Sequence, residues 1–117
     1  MQKNQRFTAR LRYALAGIGA GWRENSFKTQ LLFSCLAVAM LIFINPDLWW
    51  WALIVLLCGT ILAAELFNTA LEAICDHVSP EFQPAIKTAK DAAAGAVLIL
   101  SVASLLIAVL LLIDWVK

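Results

Sequence analysis

The sequence predicts an all-α integral membrane protein, in which an N-terminal amphipathic surface helix precedes three transmembrane helices within a single domain, residues 1–117. Composition and hydrophobic patterning lead to this fold class. Of the 117 residues, 62% are hydrophobic and 15% are charged, whereas soluble domains have about 45–50% apolar and about 25% charged residues. A water-soluble domain of this length could not bury so much apolar surface. The composition therefore excludes a soluble globular protein.

The first predicted element is a basic amphipathic helix over about residues 4–24. Its apolar residues recur at spacings of three and four and cover about one quarter of the helical circumference. Its arginines lie outside this apolar stripe, an arrangement typical of a helix in the membrane interface. A soluble helix that packs against a partner is the alternative interpretation. The apolar stripe consists of Phe7, Leu11, Ala14, Leu15, Ile18 and Trp22, and the arginines are Arg6, Arg10, Arg12 and Arg23.

Three apolar segments follow, each close to the length of about 20 residues that a membrane-spanning helix needs. The predicted helices cover residues 29–44, 48–75 and 91–113. Residues 45–47 (NPD) separate the first two, because proline and turn-forming residues end a helix. Trp49 to Trp51 suit a membrane interface, since an indole combines an apolar body with one N–H donor.

The basic residues predict the orientation, because Lys and Arg near the ends of a span are retained on the cytoplasmic side. We expect the N-terminus and the segment 76–90 on the inside, and residues 45–47 and the C-terminus on the outside. This charge distribution indicates membrane topology, and nucleic acid is not an expected partner. Six cations precede the first apolar segment: Lys3, Arg6, Arg10, Arg12, Arg23 and Lys28.

The second span continues into a run of polar residues. At about 100° per residue, Glu65, Asn68, Glu72 and Asp76 fall on one face over three turns, and we call them the polar stripe. About 17 uncharged residues carry the chain about 25 Å from Leu48, so Glu65 lies toward the inner boundary of a core about 30 Å thick. Two interpretations fit: a solvated helix extension, or oxygen ligands for a divalent metal.

Three further charges are expected at the same boundary. Glu24 is the one acid among the N-terminal cations and is a candidate second metal ligand, while Lys90 and Asp91 begin the third span. A lysine there suits phosphate, although a lysine whose charged end reaches the interface is equally common. Together these groups favour phosphoryl transfer at a membrane surface. A small transporter, which would need acids near the midplane, and a non-catalytic assembly factor are the alternatives.

At these residues the chain resembles the prokaryotic diacylglycerol kinase family, small trimeric membrane lipid kinases that include undecaprenol kinases. Residues 65–76 (ELFNTALEAICD) are similar to the family signature E-x-x-N-[ST]-A-[IL]-E-x-x-x-D. Residues 89–91 (AKD) and 24–28 (ENSFK) resemble two further family elements. The resemblance extends from about Arg10 to Val116.

The resemblance implies a kinase that transfers the γ-phosphoryl group of ATP to diacylglycerol, giving phosphatidic acid, with Mg²⁺ as cofactor. Undecaprenol is the alternative lipid, because Thr69 and residues 92–97 are similar to undecaprenol kinases. It also implies a homotrimer with shared active sites in the bacterial inner membrane, with a periplasmic or extracellular C-terminus. By resemblance, Glu65 is the catalytic base, and Glu24 and Glu72 are metal ligands. The resemblance also implies that Arg10 and Glu65 contact the lipid substrate. The residues that it implies around the nucleotide are Glu24, Asn68, Glu72, Asp76, Lys90 and Asp91.

Overall fold

The computed structural model describes residues 3–78, 81 and 83–117, with side chains from Arg6 onward. Over these residues the chain forms four α-helices: α1 (Lys3–Gly21), α2 (Asn25–Ile44), α3 (Leu48–Val78) and α4 (Pro84–Val116). The predicted all-α class is confirmed, and α2, α3 and α4 are each long and apolar enough to cross a membrane. Residues 79, 80 and 82 of the predicted inner segment lie outside the described part, as do residues 1 and 2.

The helix ends differ from the bounds that hydropathy predicts. α2 begins at Asn25 rather than at residue 29, α3 continues to Val78 rather than 75, and α4 begins at Pro84 rather than 91. Hydropathy marks only the part of a helix that suits hydrocarbon, whereas backbone hydrogen bonding continues into polar sequence. Pro84 suits the first turn, where a missing N–H leaves no bond unmade.

α1 ends at Gly21, three residues before the predicted end. The Arg23 and Glu24 amides bond to the carbonyls of Ala20 and Gly21 at 3.2 Å and 2.9 Å, which is the tighter three-residue spacing of a closing turn. Glu24 itself has an extended backbone (φ −90°, ψ 130°) at the start of α2. The chain therefore turns between α1 and α2 at residues 22–24.

A three-residue turn connects α2 to α3. Asn45 ends α2 in the left-handed conformation (φ 50°, ψ 58°), and its N–H donates to the Leu41 carbonyl at 2.8 Å. Asparagine is one of the few residues that adopts this conformation readily. The Trp50 N–H then bonds to the Asp47 carbonyl at 3.0 Å as α3 begins. This turn makes α2 and α3 antiparallel neighbours.

The best-packed part of the structure lies at the end where α2 finishes, α3 begins and α4 finishes. Leu41, Trp50, Ile54 and Leu111 form its buried cluster, and Leu41 and Leu111 are completely enclosed. The Trp50 indole donates to Asp114 Oδ2 at 3.2 Å. This contact satisfies the indole N–H, so the large ring is buried without an unpaired donor.

Most other large apolar side chains are exposed in the single chain. The apolar stripe of α1 is largely exposed, with Phe7, Leu11 and Leu15 exposed by 69%, 51% and 61%. Exposed apolar surface on this scale is unfavourable in water and is expected where lipid or another subunit covers it. α1 contacts the bundle at its end, where Gly21 lies against Leu66 of α3 and Phe27 of α2.

Candidate active site

Glu65 is the one buried polar or charged residue among those that the structure describes, with 5% of its surface exposed. It lies on α3, one turn beyond the buried Ile61. Burying a carboxyl group is unfavourable unless hydrogen bonds or charges compensate. The polar and charged residues around Glu65 therefore determine how its buried carboxyl group is stabilised.

A polar side chain from a neighbouring helix lies close to Glu65. This is Gln30 of α2, whose Nε2 donates to Ser101 Oγ of α4 at 3.0 Å. Ser101 Oγ in turn donates to the Val97 carbonyl at 2.9 Å. The bond between Gln30 and Ser101 joins α2 to α4.

The next two members of the polar stripe contact each other. Asn68 Nδ2 donates to Glu72 Oε1 at 3.3 Å across one helical turn, and the Glu72 charge is close enough to act on Glu65. Asn68 Oδ1 is buried and has no hydrogen-bond partner among the described atoms. A buried acceptor without a donor is costly, so Asn68 Oδ1 is available to a cation or to a donor from a bound molecule.

Asp76 and Lys90 connect the polar end of α3 to α4. Lys90 Nζ lies 2.6 Å from Asp76 Oδ1, with side chains 38% and 69% exposed respectively. Asp91 is paired instead with Lys87 at 2.6 Å, one turn earlier on α4. The sequence placed Asp76, Lys90 and Asp91 at one boundary, and the structure brings Asp76 and Lys90 into direct contact.

Glu24 lies in the turn between α1 and α2, and its side chain does not reach the polar stripe in the described part of the chain. It is exposed and begins α2 without a side-chain capping bond, and it forms no ion pair or hydrogen bond with the polar stripe in the described part of the chain. However, Gly21 lies against Leu66, the residue after Glu65. The end of α1, three residues before Glu24, therefore packs against the residue that follows Glu65.

The oxygen groups of a single chain suit a partial magnesium site. Within the described ranges, no three acidic, histidine or cysteine side chains form a metal-binding group. The Glu72 carboxylate and the unpaired Asn68 Oδ1 are nevertheless hard oxygen donors next to each other. Mg²⁺ is usually held by one or two carboxylates together with substrate phosphates, so these residues fit that ion.

Arg10 is not brought to the site. It is exposed on α1, and no ion pair or hydrogen bond links it to the polar stripe in the part of the chain that the structure describes. Its role in contacting lipid therefore stays a prediction from resemblance.

Hydropathy does not distinguish Gln30 and Ser101 from the apolar segments 29–44 and 91–113 that contain them. One signal was present: hydroxyl and amide side chains within a span need hydrogen-bond partners, and they often find them across a helix pair. The polar side chains of the first and third long helices at such positions include Gln30, Ser34, Ser101 and Ser104.

Most of the chain matches a known protein family. Residues 12–112 match the model of a family described as prokaryotic diacylglycerol kinase. The chain belongs to this family. The resemblance inferred from the polar stripe is thus confirmed, and the matched range contains every candidate site residue except Arg10.

Curated relatives of this chain carry names that refer to two different lipids. An undecaprenol kinase of Bacillus subtilis (strain 168) is 34% identical over 88 residues, covering 75% of this chain and 72% of the relative. A diacylglycerol kinase of Pseudomonas aeruginosa is 34% identical over 85 residues, covering 72% and 69%. One of Helicobacter pylori (strain J99) is 31% identical over 88 residues, covering 74% and 69%. The family and these names indicate a lipid kinase.

Proposed function

We propose that this protein is an ATP-dependent lipid kinase that transfers the γ-phosphoryl group of ATP to the hydroxyl of diacylglycerol, giving phosphatidic acid. One observation carries the proposal: a buried carboxyl group, Glu65, begins a polar stripe that ends at the largely exposed Asp76. Such a gradient from apolar surroundings to water suits a reaction between a membrane-embedded alcohol and a soluble nucleotide. Membership of the family supports the same activity.

Glu65 is the proposed general base. The lipid hydroxyl oxygen attacks the γ-phosphorus, and the bond from that phosphorus to the β–γ bridging oxygen breaks as ADP leaves with the electron pair. The hydroxyl proton passes to a carboxylate oxygen of Glu65, as general base catalysis requires. The burial of Glu65 supports this role, because the base must meet a hydroxyl that stays at headgroup depth.

Glu72 and Glu24 are the proposed ligands of Mg²⁺, which supplies neutralisation of the phosphate charge when bound. Glu72 lies beside Asn68, whose free Oδ1 is a further oxygen donor. Lys90 is proposed to face the nucleotide phosphates, with Asp76 holding its ammonium group in place. Asn68, Asp76 and Asp91 complete the proposed surroundings of the nucleotide.

The proposed assembly is a homotrimer with shared active sites in the bacterial inner membrane. Its N-terminus is proposed to be cytoplasmic and its C-terminus periplasmic or extracellular. Two observations support sharing between subunits. The described residues of one chain supply only a partial metal site, and large apolar side chains such as Phe67 and Leu98 are 78% and 64% exposed. Arg10 is proposed to contact the lipid at the mouth of the site.

Undecaprenol is the second candidate substrate, because one relative that matches three quarters of the chain is named an undecaprenol kinase. Both lipids present one primary hydroxyl, so the same base, metal ligands and nucleotide contacts serve either. The test is turnover of the purified protein in mixed micelles with each lipid in turn, with Glu65→Gln as the control for contaminating kinases. Faster turnover of diacylglycerol is expected, and a clear preference for undecaprenol would reassign the substrate.

A transporter is the competing class of function. It would require acids near the membrane midplane on more than one helix, whereas the apolar parts of α2 and α4 carry none between residues 29 and 44 or between 92 and 113. Proton or solute flux in proteoliposomes without any ATP-dependent lipid phosphorylation would favour the transporter over the kinase.

A further inference from the structure

The three long helices surround a cavity of about 400 Å³. Its wall includes Gln30 and Met40 from α2, Ile54 and Ile61 from α3, and Ala108 from α4. Among the described residues that line it, none carries a charge. Since a charged group is costly to bury without a partner, the cavity suits a hydrocarbon group rather than a nucleotide or an ion.

The serines of α4 on this wall already have hydrogen-bond partners. Ser101 Oγ donates to the Val97 carbonyl at 2.9 Å and accepts from Gln30 Nε2 at 3.0 Å. Ser104 Oγ donates to the Leu100 carbonyl at 2.8 Å. A hydroxyl has one hydrogen to donate, so both serines have used theirs within the protein. The wall on this side therefore accepts an apolar neighbour without leaving a donor unpaired.

The cavity leads from the level of the proposed base into the membrane. Ile61, which lines it, lies one turn before Glu65 on α3. On α2 the wall extends over ten residues, from Gln30 to Met40, which is about 15 Å. One leaflet of a hydrocarbon core about 30 Å thick is also about 15 Å deep. The cavity therefore has the depth that a lipid chain occupies below its headgroup.

The width of the cavity decides between a lipid chain and a helix of a second copy. A volume of about 400 Å³ over a length of about 15 Å gives a mean cross-section of about 27 Å², or a width of about 6 Å. A helix with its side chains is about 10–12 Å wide, so it does not fit. Carbon atoms in contact lie about 3.5–4.0 Å apart, so one unbranched hydrocarbon chain does fit.

The outer end of the cavity is closed. Ile54 lines the cavity and belongs to the buried cluster, while Ala37 and Met40 line it and pack against that cluster. Behind them, Leu41 and Leu111 are completely enclosed. Packing of this density does not open readily to admit further atoms. A chain longer than the cavity must therefore bend back or leave it.

We propose that this cavity holds one acyl chain of the lipid substrate and that its closed outer end sets the longest chain that is phosphorylated efficiently. This inference rests on the proposed function, in which the lipid hydroxyl meets Glu65. The second acyl chain stays in the surrounding lipid. A chain that fits holds the hydroxyl at the depth of Glu65, and catalysis depends on such positioning. A chain that is too long moves the hydroxyl away from the base.

The test compares kcat/KM for dioctanoylglycerol and dioleoylglycerol, with the full-length protein in mixed micelles of one detergent. Ala37→Leu and Ala108→Leu shorten the cavity, and each is expected to lower kcat/KM for dioleoylglycerol about tenfold relative to dioctanoylglycerol. Met40→Ala lengthens the cavity and should shift the ratio in the opposite direction. Ala39→Leu is the matched control, because Ala39 is exposed on the same helix and does not line the cavity. Its ratio should equal that of the wild type.

Two results would overturn the inference while leaving the kinase assignment in place. One is an unchanged ratio in both leucine variants while Glu65→Gln is inactive. The other is a smaller, monodisperse assembly of both leucine variants on size exclusion, which would show that a second copy fills the cavity. If one leucine variant fails to fold, the other and Met40→Ala decide. Absence of phosphorylation of either diacylglycerol by the wild-type protein would overturn the proposed function and this inference together.

Discussion

Lys90 Nζ lies 2.6 Å from Asp76 Oδ1, and this ion pair joins the last turns of α3 to the first turns of α4. The two residues are 14 positions apart in the sequence. Their contact brings a cation to the exposed end of the polar stripe. It also places that cation where we propose that the nucleotide phosphates bind.

We predict that Lys90→Met raises the KM for ATP by about tenfold or more, because a charge-assisted contact to phosphate is lost. Thermal stability should change little, since an exposed ion pair contributes little to folding. Steady-state kinetics and thermal unfolding of the same preparation check both statements. Lys87→Met is the matched control, since Lys87 lies on the same helix and pairs with Asp91 instead of Asp76. An equal rise in KM for both variants would contradict a specific role for Lys90.

Glu65→Gln is predicted to retain assembly and nucleotide binding but to lose about 100- to 10,000-fold in turnover, the usual range for a general base. The amide is similar in size to the carboxyl group, so it still packs in the buried position. Size-exclusion behaviour, nucleotide affinity and lipid phosphorylation are measured on one preparation. Loss of assembly together with activity would instead make Glu65 a structural hydrogen-bonding group between helices.

Glu72→Gln is predicted to weaken the dependence on Mg²⁺ and to lower activity by about 100-fold, because the substitution removes charge stabilisation at the phosphates. The Asn68 bond to position 72 survives, since the glutamine still offers an oxygen acceptor. A Mg²⁺ titration of activity is the measurement. Asp47→Asn, which removes a charge in the turn between α2 and α3, is the control. An unchanged titration for Glu72→Gln would refute its role as a metal ligand.

Gly21→Ala is predicted to destabilise the docking of α1 on α3. A Cβ at this position would collide with Leu66 Cδ2 and would lie 3.3 Å from Phe27 Cδ2. The cost should be about 1–3 kcal/mol, the usual penalty for overpacking, and activity should fall because the turn carrying Glu24 shifts. Thermal unfolding and turnover check this.

The control for Gly21→Ala is Gly17→Ala, where an added Cβ meets nothing within 4 Å. Alanine at an open helical position should stabilise by about 0.5–1 kcal/mol. If both alanine variants behave alike, close packing at Gly21 is not what anchors α1.

Much of the architecture follows from simple periodicities. Apolar length predicted the three long helices, and a rotation of about 100° per residue placed Asn68 and Glu72 on one face, where they form a hydrogen bond. Helix ends were less predictable, because hydropathy does not register the polar turns at Asn25 or Pro84. The roles of Glu24, Glu72 and Arg10 stay predictions, since their ligands are supplied from outside the chain.

The contact between Gln30 and Ser101 could not be predicted from the sequence. Both lie on helices that are apolar almost all around, so periodicity does not fix how each helix is rotated about its axis. Only the packing of α2 and α4 against α3 determines that rotation. By contrast, the polar stripe lies on one side of α3, so the sequence alone indicates which face of that helix carries the polar residues.

α3 is longer than the hydrocarbon layer of a membrane is thick. Its 31 residues span about 46 Å, whereas the hydrocarbon layer is about 30 Å thick. The exposed Trp49 is suited to one lipid–water boundary, and Glu65 lies 16 residues further along the same helix, about 24 Å away. A thinner bilayer would bring Glu65 toward the headgroups, and a thicker one would sink it below the level of the lipid hydroxyls. Acyl-chain length in the surrounding membrane would then regulate turnover without any change in substrate concentration.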